Sequence, residues 1–354
     1  MPRAVLEGTT QASRAKERQR LGSLRGLTVQ PATRIRYDRA LNRFLAFLKE
    51  EGLELPSRRS LLDPLVMEYV EHLWRTGEGR GLAADTLASL QDFDAKIRGQ
   101  LPGAWRLVKT WVTHELPNRA PPMPERILHA MVGWSLYHQY FSFATSLLLC
   151  FYGILRTGEL LDVTKRRIDI SDSLRVAVVS LGMTKAGKRA GVQESVTVGH
   201  DTAFRYLHQW CCLASTHQRL CPPAARWRKL FKTCVEALHL EPLDLRPYSL
   251  RRGGATWWFC QHGNLDRVML LGRWQAQKTA RLYLNESRAV LTEMQLGPFE
   301  QFLAPYRKFF QNSTPKSFRT LEPLQSSRPP DEKRRLGGRG KRGRNPLKRP
   351  SKCS

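Results

Sequence analysis

Negative charge is what this sequence is short of. It carries 31 Asp and Glu against 58 Lys and Arg, a formal net charge of +27 over 354 residues. An imbalance of that size disfavours cationic ligands and points to a polyanionic partner, most simply nucleic acid. Long apolar runs are lacking too. Residues 1–25 are polar and basic, without the apolar stretch of a secretory signal, and Glu7 and Glu17 interrupt any transit-peptide pattern. Only Ser135 to Leu155 runs for twenty-one residues without a formal charge, and His138, Gln139 and several hydroxyls within it argue for a buried helix over a membrane span. A soluble, intracellular chain with no membrane partner is therefore expected. The seven cysteines, at 150, 211, 212, 221, 234, 260 and 353, form no regular framework, which fits a reducing compartment. His208, Cys211, Cys212 and Cys221 lack finger or ribbon spacing, so buried thiols are expected there and no metal is assigned. No internal repeat is present.

What remains is ordinary for a soluble protein of about two domains, with 41% hydrophobic and 25% charged residues. Charge is concentrated at the C-terminus. Residues 313–354 hold thirteen Lys and Arg against Glu322, Asp331 and Glu332, a net +10, which leaves +17 on residues 1–312. Lys333-Arg334-Arg335 and Lys341-Arg342-Gly343-Arg344 lie among Gly and Pro without apolar periodicity. That composition predicts a disordered basic tail over 313–354, either a nuclear import signal, a DNA-holding arm or a solvated tail with no reader. Residues 1–30 read as a disordered basic leader.

Between these ends, helical spacing of Tyr37, Leu41, Phe44, Leu45 and Leu48 predicts an amphipathic helix over 33–51 with Arg34, Arg36, Arg39 and Arg43 on its margin. Asp63-Pro64 predicts the cap and first turn of a second helix. Residues 84–97 and 104–114 complete a four-helix domain over 31–116. The proline-rich stretch 117–124 predicts a linker. In the second domain, 125–312, helical patterns at 125–135 and 139–155 precede a β-branched hairpin, Leu174 to Leu181 and Val192 to Val198, around a Gly/Lys loop. Helical patterns resume at 201–213, 226–239, 249–262, 264–271 and 278–296. The expected fold is mainly α with a small antiparallel β-sheet.

Three segments carry chemistry. Leu155-Arg156-Thr157-Gly158-Glu159-Leu160 places an arginine fork at the end of a buried helix, three residues before a carboxylate, where it can face a phosphate or make an ordinary ion pair. Tyr248-Ser249-Leu250-Arg251-Arg252-Gly253-Gly254 brings two arginines into a helix start beside glycines that permit close backbone approach. Leu271-Gly272-Arg273-Trp274 is followed nine residues after the tryptophan by Tyr283. Arg226, Arg228 and Lys229 flank Trp227 on a further helix whose other face, Trp227, Leu230, Phe231 and Cys234, reads as core. The three basic residues read as phosphate contacts, as do the four arginines at 34–43 and Arg252.

In order and spacing, these segments resemble the tyrosine recombinase (phage integrase) superfamily across roughly residues 30–290. The resemblance implies an N-terminal helical, SAM-like core-binding domain and a mixed α/β catalytic domain. Arg156 is similar to the first catalytic arginine, with Glu159 as its supporting carboxylate. Lys185 is similar to the mobile lysine, with Lys188 as fallback, and Arg251 to the second arginine. Trp274 occupies the His/Trp slot and Tyr283 the nucleophile's. Tyr248 stands where the family has His or Lys, and a phenol with a pKa of about 10 donates well to a phosphate but accepts a proton poorly; His262 is a candidate substitute. The implied activity is site-specific cleavage and rejoining of double-stranded DNA through a 3′-phosphotyrosyl intermediate, with no metal or nucleotide cofactor, by a homotetramer on two duplex sites. The alternative is a catalytically impaired, DNA-binding relic. The Gly-Arg-Trp wording is closest to eukaryotic mobile-element members, which with the basic tail implies a nuclear protein.

Overall fold

The computed structural model describes residues 10–24, 26–182, 184, 187 and 193–321. The chain divides into two compact units between Arg119 and Ala120.

The first unit is all helical: α1 Gln11–Leu21, α2 Pro31–Glu50, α3 Leu62–Arg75, α4 Arg80–Phe93 and α5 Pro102–His114. Its core is formed by Phe44, Phe47 and Leu48 of α2 with Val66, Tyr69 and Val70 of α3, Leu87 of α4 and Trp111 of α5. Two expectations need correction. The leader carries α1, held by a local cap in which Thr10 Oγ1 accepts from Ser13 N at 3.3 Å; it buries no residue. Asp63 lies inside the first turn of α3 and caps a different helix: its carboxylate accepts from Gly103 N at 2.8 Å and Ala104 N at 2.9 Å, at the start of α5. A carboxylate there satisfies two of the amides that every helix start leaves unpaired and complements the dipole.

The second unit wraps helices around α7. Its elements are α6 Glu125–Tyr137, α7 Phe141–Tyr152, α8 Thr157–Leu161, β1 Ile168–Ser171, β2 Val176–Gly182, β3 Glu194–Val198, α9 Asp201–Leu213, α10 Ala224–Ala237, α11 Pro247–His262, α12 Leu265–Gly272, α13 Gln277–Arg281, α14 Glu286–Met294 and α15 Glu300–Asn312. Every residue of α7 is buried, as its nearly all-apolar sequence predicts. Even its hydroxyls are used: Trp227 donates to Ser146 at 2.8 Å and Trp210 to Ser142 at 3.2 Å. The sheet is antiparallel in the order β1-β2-β3, with Val179 facing Ile168 and Val196. Strand β1, four residues long, escaped the sequence pattern because so short a run shows no clear alternation. The double glycine of α11 lets backbones touch. A Cβ at Gly254 would lie 1.9 Å from Phe151 O, and one at Gly253 would lie 2.2 Å from Met123 O.

Three boundaries also differ from expectation. Residues 120–124 are buried in the second unit and are no free linker: Met123 N donates to Ser249 O at 3.0 Å. The helix expected over 278–296 breaks, because Asn285 caps α14 by accepting from Arg288 N at 2.9 Å, and this leaves Tyr283 in the turn between α13 and α14. The tail remains packed as far as Phe318, whose ring stacks on Phe141 at 4.8 Å while its carbonyl accepts from Gln209 at 2.9 Å. The basic clusters beyond residue 321 lie outside the described residues. Helix α15 caps its own unit, burying Leu303 and Phe310, and Arg126 bridges Glu293 and Glu300. Among the described residues no helix is long and apolar enough to cross a membrane.

Candidate active site

Arg156 is the N-cap residue of α8, and Glu159 folds back to it. The Glu159 carboxylate accepts from Arg156 N at 2.9 Å and from Arg156 Nη1 at 2.5 Å. This reciprocal cap fixes a guanidinium whose side chain keeps 35% of its surface exposed, while Glu159 keeps 10%. Burial pulls the Arg156 pKa down, but the bond and charge of Glu159 more than offset it and leave the group above its ordinary value.

Arg251, from the first turns of α11, is 1% exposed. Its Nη1 donates to Ile154 O at 2.5 Å and its Nη2 to Gly272 O at 2.6 Å, which ties α11 to the ends of α7 and α12. The guanidinium carbon stands 4.8 Å from the ring centre of Trp274 and 5.4 Å from that of Tyr283, within the range of cation–π attraction. Burial first, then the neighbouring Arg156 and Arg273, pull its pKa down to about 10; Glu159, 4.0 Å away, works against them. Trp274 and Tyr283 pack with ring centres 4.4 Å apart. The Tyr283 carbonyl accepts from Thr256 of α11 at 3.4 Å, which holds the turn. Tyr248 donates a hydrogen bond to the Tyr283 hydroxyl. Burial, then that bond to Tyr283, raises the Tyr248 pKa above the ordinary value for a phenol.

Arg156, Glu159, Tyr248, Arg251, Trp274 and Tyr283 thus meet in one place, although they come from three segments of the chain. Lys185 and its fallback Lys188 lie outside the described residues. His262 is engaged elsewhere, stacked on Trp258 and 3.1 Å from that residue's carbonyl.

The sequence reading missed Arg273, which ends α12 in a left-handed conformation at φ 55° and keeps only 8% of its side chain exposed. Its Nη2 donates to Glu159 at 2.5 Å, and its Nε lies 3.5 Å from Glu194 of β3. Glu194 in turn accepts from Thr184 at 2.6 Å. The signal was present: an arginine sits where a helix-ending motif favours glycine, a placement that costs about 1 kcal/mol. Among the described residues three guanidinium groups and two carboxylates share the site, so one positive charge is in excess. Three buried donors there, Arg251 Nε, Trp274 Nε1 and Arg273 Nη1, have no acceptor among the described residues, and Arg273 Nε makes no hydrogen bond beyond its 3.5 Å ion-pair contact with Glu194. Leaving such a donor unpaired costs about 1–3 kcal/mol, so an incoming oxyanion would find donors already fixed and desolvated.

The shape around these residues has known counterparts. The Tn1549 transposon integrase in complex with circular intermediate DNA matches with a TM-score of 0.53 and 13% identity, over 79% of this chain and 97% of that one. The same integrase in complex with transposon right end DNA matches at 0.54 and 14%, over 79% and 98%. This is the tyrosine recombinase fold. A lambda integrase dimer bound to a COC' core site shares it at a TM-score of 0.50 and 11% identity, over 78% of this chain and 96% of that one. No protein-family model matches the chain, and no curated protein does.

The residues expected to grip DNA divide on this fold. Arg252 is 5% exposed and donates to Ala120 O at 2.7 Å, so it braces the segment before α6 and does not face DNA. Arg34, Arg36 and Arg43 pair with Asp92, Asp85 and Glu78, and serve as braces between α2 and the segment from Glu78 through α4. Arg39 is exposed and has no ion-pair partner among the described residues. Arg228 and Lys229 are exposed on α10 and Arg226 is half-buried, while Trp227 and Phe231 face the core.

Proposed function

We propose that this chain is a site-specific DNA recombinase that cleaves and rejoins strands through Tyr283. The observation that carries the reading is the placement of the Tyr283 ring against Trp274 and under Arg251, with Arg156 joined to the same cluster through Glu159. Attack of the Tyr283 oxygen on a DNA phosphodiester forms a 3′-phosphotyrosyl bond and releases a 5′ oxygen, which takes up a proton. Arg156, Arg251 and the indole NH of Trp274 hold the nonbridging oxygens, where negative charge grows in the pentacoordinate state. Lys185 protonates the leaving oxygen.

Tyr248 changes the first step. Its raised pKa keeps it a neutral phenol, and its O–H already points at the Tyr283 oxygen. It stabilises a Tyr283 phenolate by donation, and the surplus positive charge of the site supplies the rest of the activation. The same observation favours a second reading, a DNA-binding relic without strand cleavage, because among the described residues the group bonded to the Tyr283 hydroxyl is a phenol that donates to it and accepts a proton poorly. The Gly-Arg-Trp wording and the basic tail support a nuclear protein of a eukaryotic mobile element as the form of this proposal, and the family resemblance implies a tetramer working on two duplex sites.

The test uses a pool of nicked duplexes of randomised sequence, whose cleavage loses the strand needed for religation. A denaturation-resistant protein–DNA adduct with the native chain and none with Tyr283→Phe is the expected result. Salt-sensitive binding without an adduct from either protein would favour the relic.

A further inference from the structure

We propose that Arg273 is a positioning residue of the phosphate site: it clamps Glu159 and Glu194 together, and its charge gives the site the positive surplus that an oxyanion needs. The reaction it serves rests on the reading above; its position rests on geometry alone. Helix α12 ends in a motif in which Trp274 N donates to Met269 O at 2.9 Å and Arg273 N to Leu270 O at 3.1 Å, which requires a left-handed residue at position 273. Glycine is the usual occupant of that position because it has no Cβ to strain. A glycine stands one place earlier, at 272, where a Cβ would lie 2.1 Å from the Trp274 ring. So the tight approach of the tryptophan takes the glycine, and the strained position is given to an arginine.

What that arginine does is visible in its contacts. It reaches the same Glu159 that caps Arg156, and through Glu194 it connects to Thr184, whose hydroxyl accepts from Gly187 N at 3.0 Å. One guanidinium thereby joins the first arginine's support to the hairpin of β2 and β3. Without it, among the described residues, Arg156 and Arg251 would face two carboxylates with no guanidinium charge in excess, and the attraction for an arriving phosphate would be weaker.

The test compares Arg273→Gly, Arg273→Lys, Glu194→Gln and the double variant Arg273→Gly/Glu194→Gln, with two readouts. The first is the adduct rate on the nicked duplex pool. The second, which needs no turnover, is the rise in melting temperature caused by orthovanadate, a tetrahedral oxyanion. Glycine at 273 relieves the backbone, so a purely conformational role would leave both readouts intact. The expected result is an adduct rate at least tenfold lower and a lost vanadate shift in Arg273→Gly, recovery of both in Arg273→Lys, and partial recovery in the double variant, where a carboxylate has gone with the cation. Native behaviour in Arg273→Gly overturns the inference and leaves the recombinase reading standing. A native chain that forms no adduct but needs Arg273 for its vanadate shift overturns the reaction and keeps the inference. If Arg273→Gly does not fold, Glu194→Gln decides alone: a larger vanadate shift than native supports the surplus charge that Arg273 supplies, and an unchanged or smaller one overturns it.

Discussion

Two arginine clusters of this molecule, on α2 and around Tyr283, are built in opposite ways. On α2 three of the arginines are exposed and Arg34 is half-buried, and three of the four have a carboxylate to themselves. Around Tyr283 they are buried or half-buried, share two carboxylates among three, and leave donors unpaired. The first arrangement is complete without a ligand. The second is not, because each buried unpaired donor is a free-energy cost that an acceptor would cancel. Satisfaction of the side chain, more than its abundance or exposure, separates a brace from a binding site.

The largest expected effect tests that contrast at its centre. Arg251→Ala should lower the adduct rate about a hundredfold or more, since removing one donor to a developing oxyanion costs on the order of 3 kcal/mol. Circular dichroism must accompany the rate, because Arg251 also holds the Ile154 and Gly272 carbonyls. Next is the missing proton acceptor. Tyr248→His should raise the rate at neutral pH by about a hundredfold, the order of general base catalysis, and Tyr248→Phe should lower it by about fivefold through the lost hydrogen bond. A native rate equal to that of Tyr248→His would show that the phenol does not limit the reaction.

The pH profile sharpens the same point. A raised folded-state pKa favours the neutral form of Tyr248, so its contribution to stability is full below about pH 10 and is lost as pH rises towards the folded value. Through the neutral range Tyr248 therefore has no ionisation to show, and Arg251, pulled down only to about 10, stays charged. The native rate should climb with pH from 6 to 8 without an inflection near the histidine value of about 6.5, and Tyr248→His should introduce one. The smallest effects belong to α2. Arg36→Ala should change stability by less than about 1 kcal/mol, as for an exposed ion pair, and hardly change DNA affinity. Arg39→Ala should leave stability alone and reduce the salt slope of DNA binding by about 1. If Arg36→Ala and Arg39→Ala weaken binding equally, pairing does not separate the two clusters.

The convergence at the site was legible in the sequence because it depends on wording that local chemistry constrains: an arginine three residues before a carboxylate, an arginine before a double glycine, a tryptophan nine residues before a tyrosine. The all-helical first unit and the hairpin were legible from their periods. What escaped shares one cause. Arg273, the capping of α5 by Asp63, the burial of Arg252 and the pairing of α2 arginines all involve partners distant in sequence, such as Glu194 for Arg273 and Gly103 for Asp63. Helical spacing shows which face a side chain occupies but not who waits opposite it. The break before α14 escaped for a different reason: Asn285 is tolerated within a helix as well as at its cap, and contacts with distant Thr256, which donates to the Tyr283 carbonyl and accepts from Asn285 N, help to decide between them.

The most direct measurement is the chemical identity of the protein–DNA linkage. Trapped adduct, digested and sequenced by mass spectrometry, should carry its nucleotide on the peptide containing Tyr283, with phosphate esterified to the phenol. Attachment at Tyr248 or at any other residue, or a native chain that binds the duplex and never becomes attached, would contradict the account.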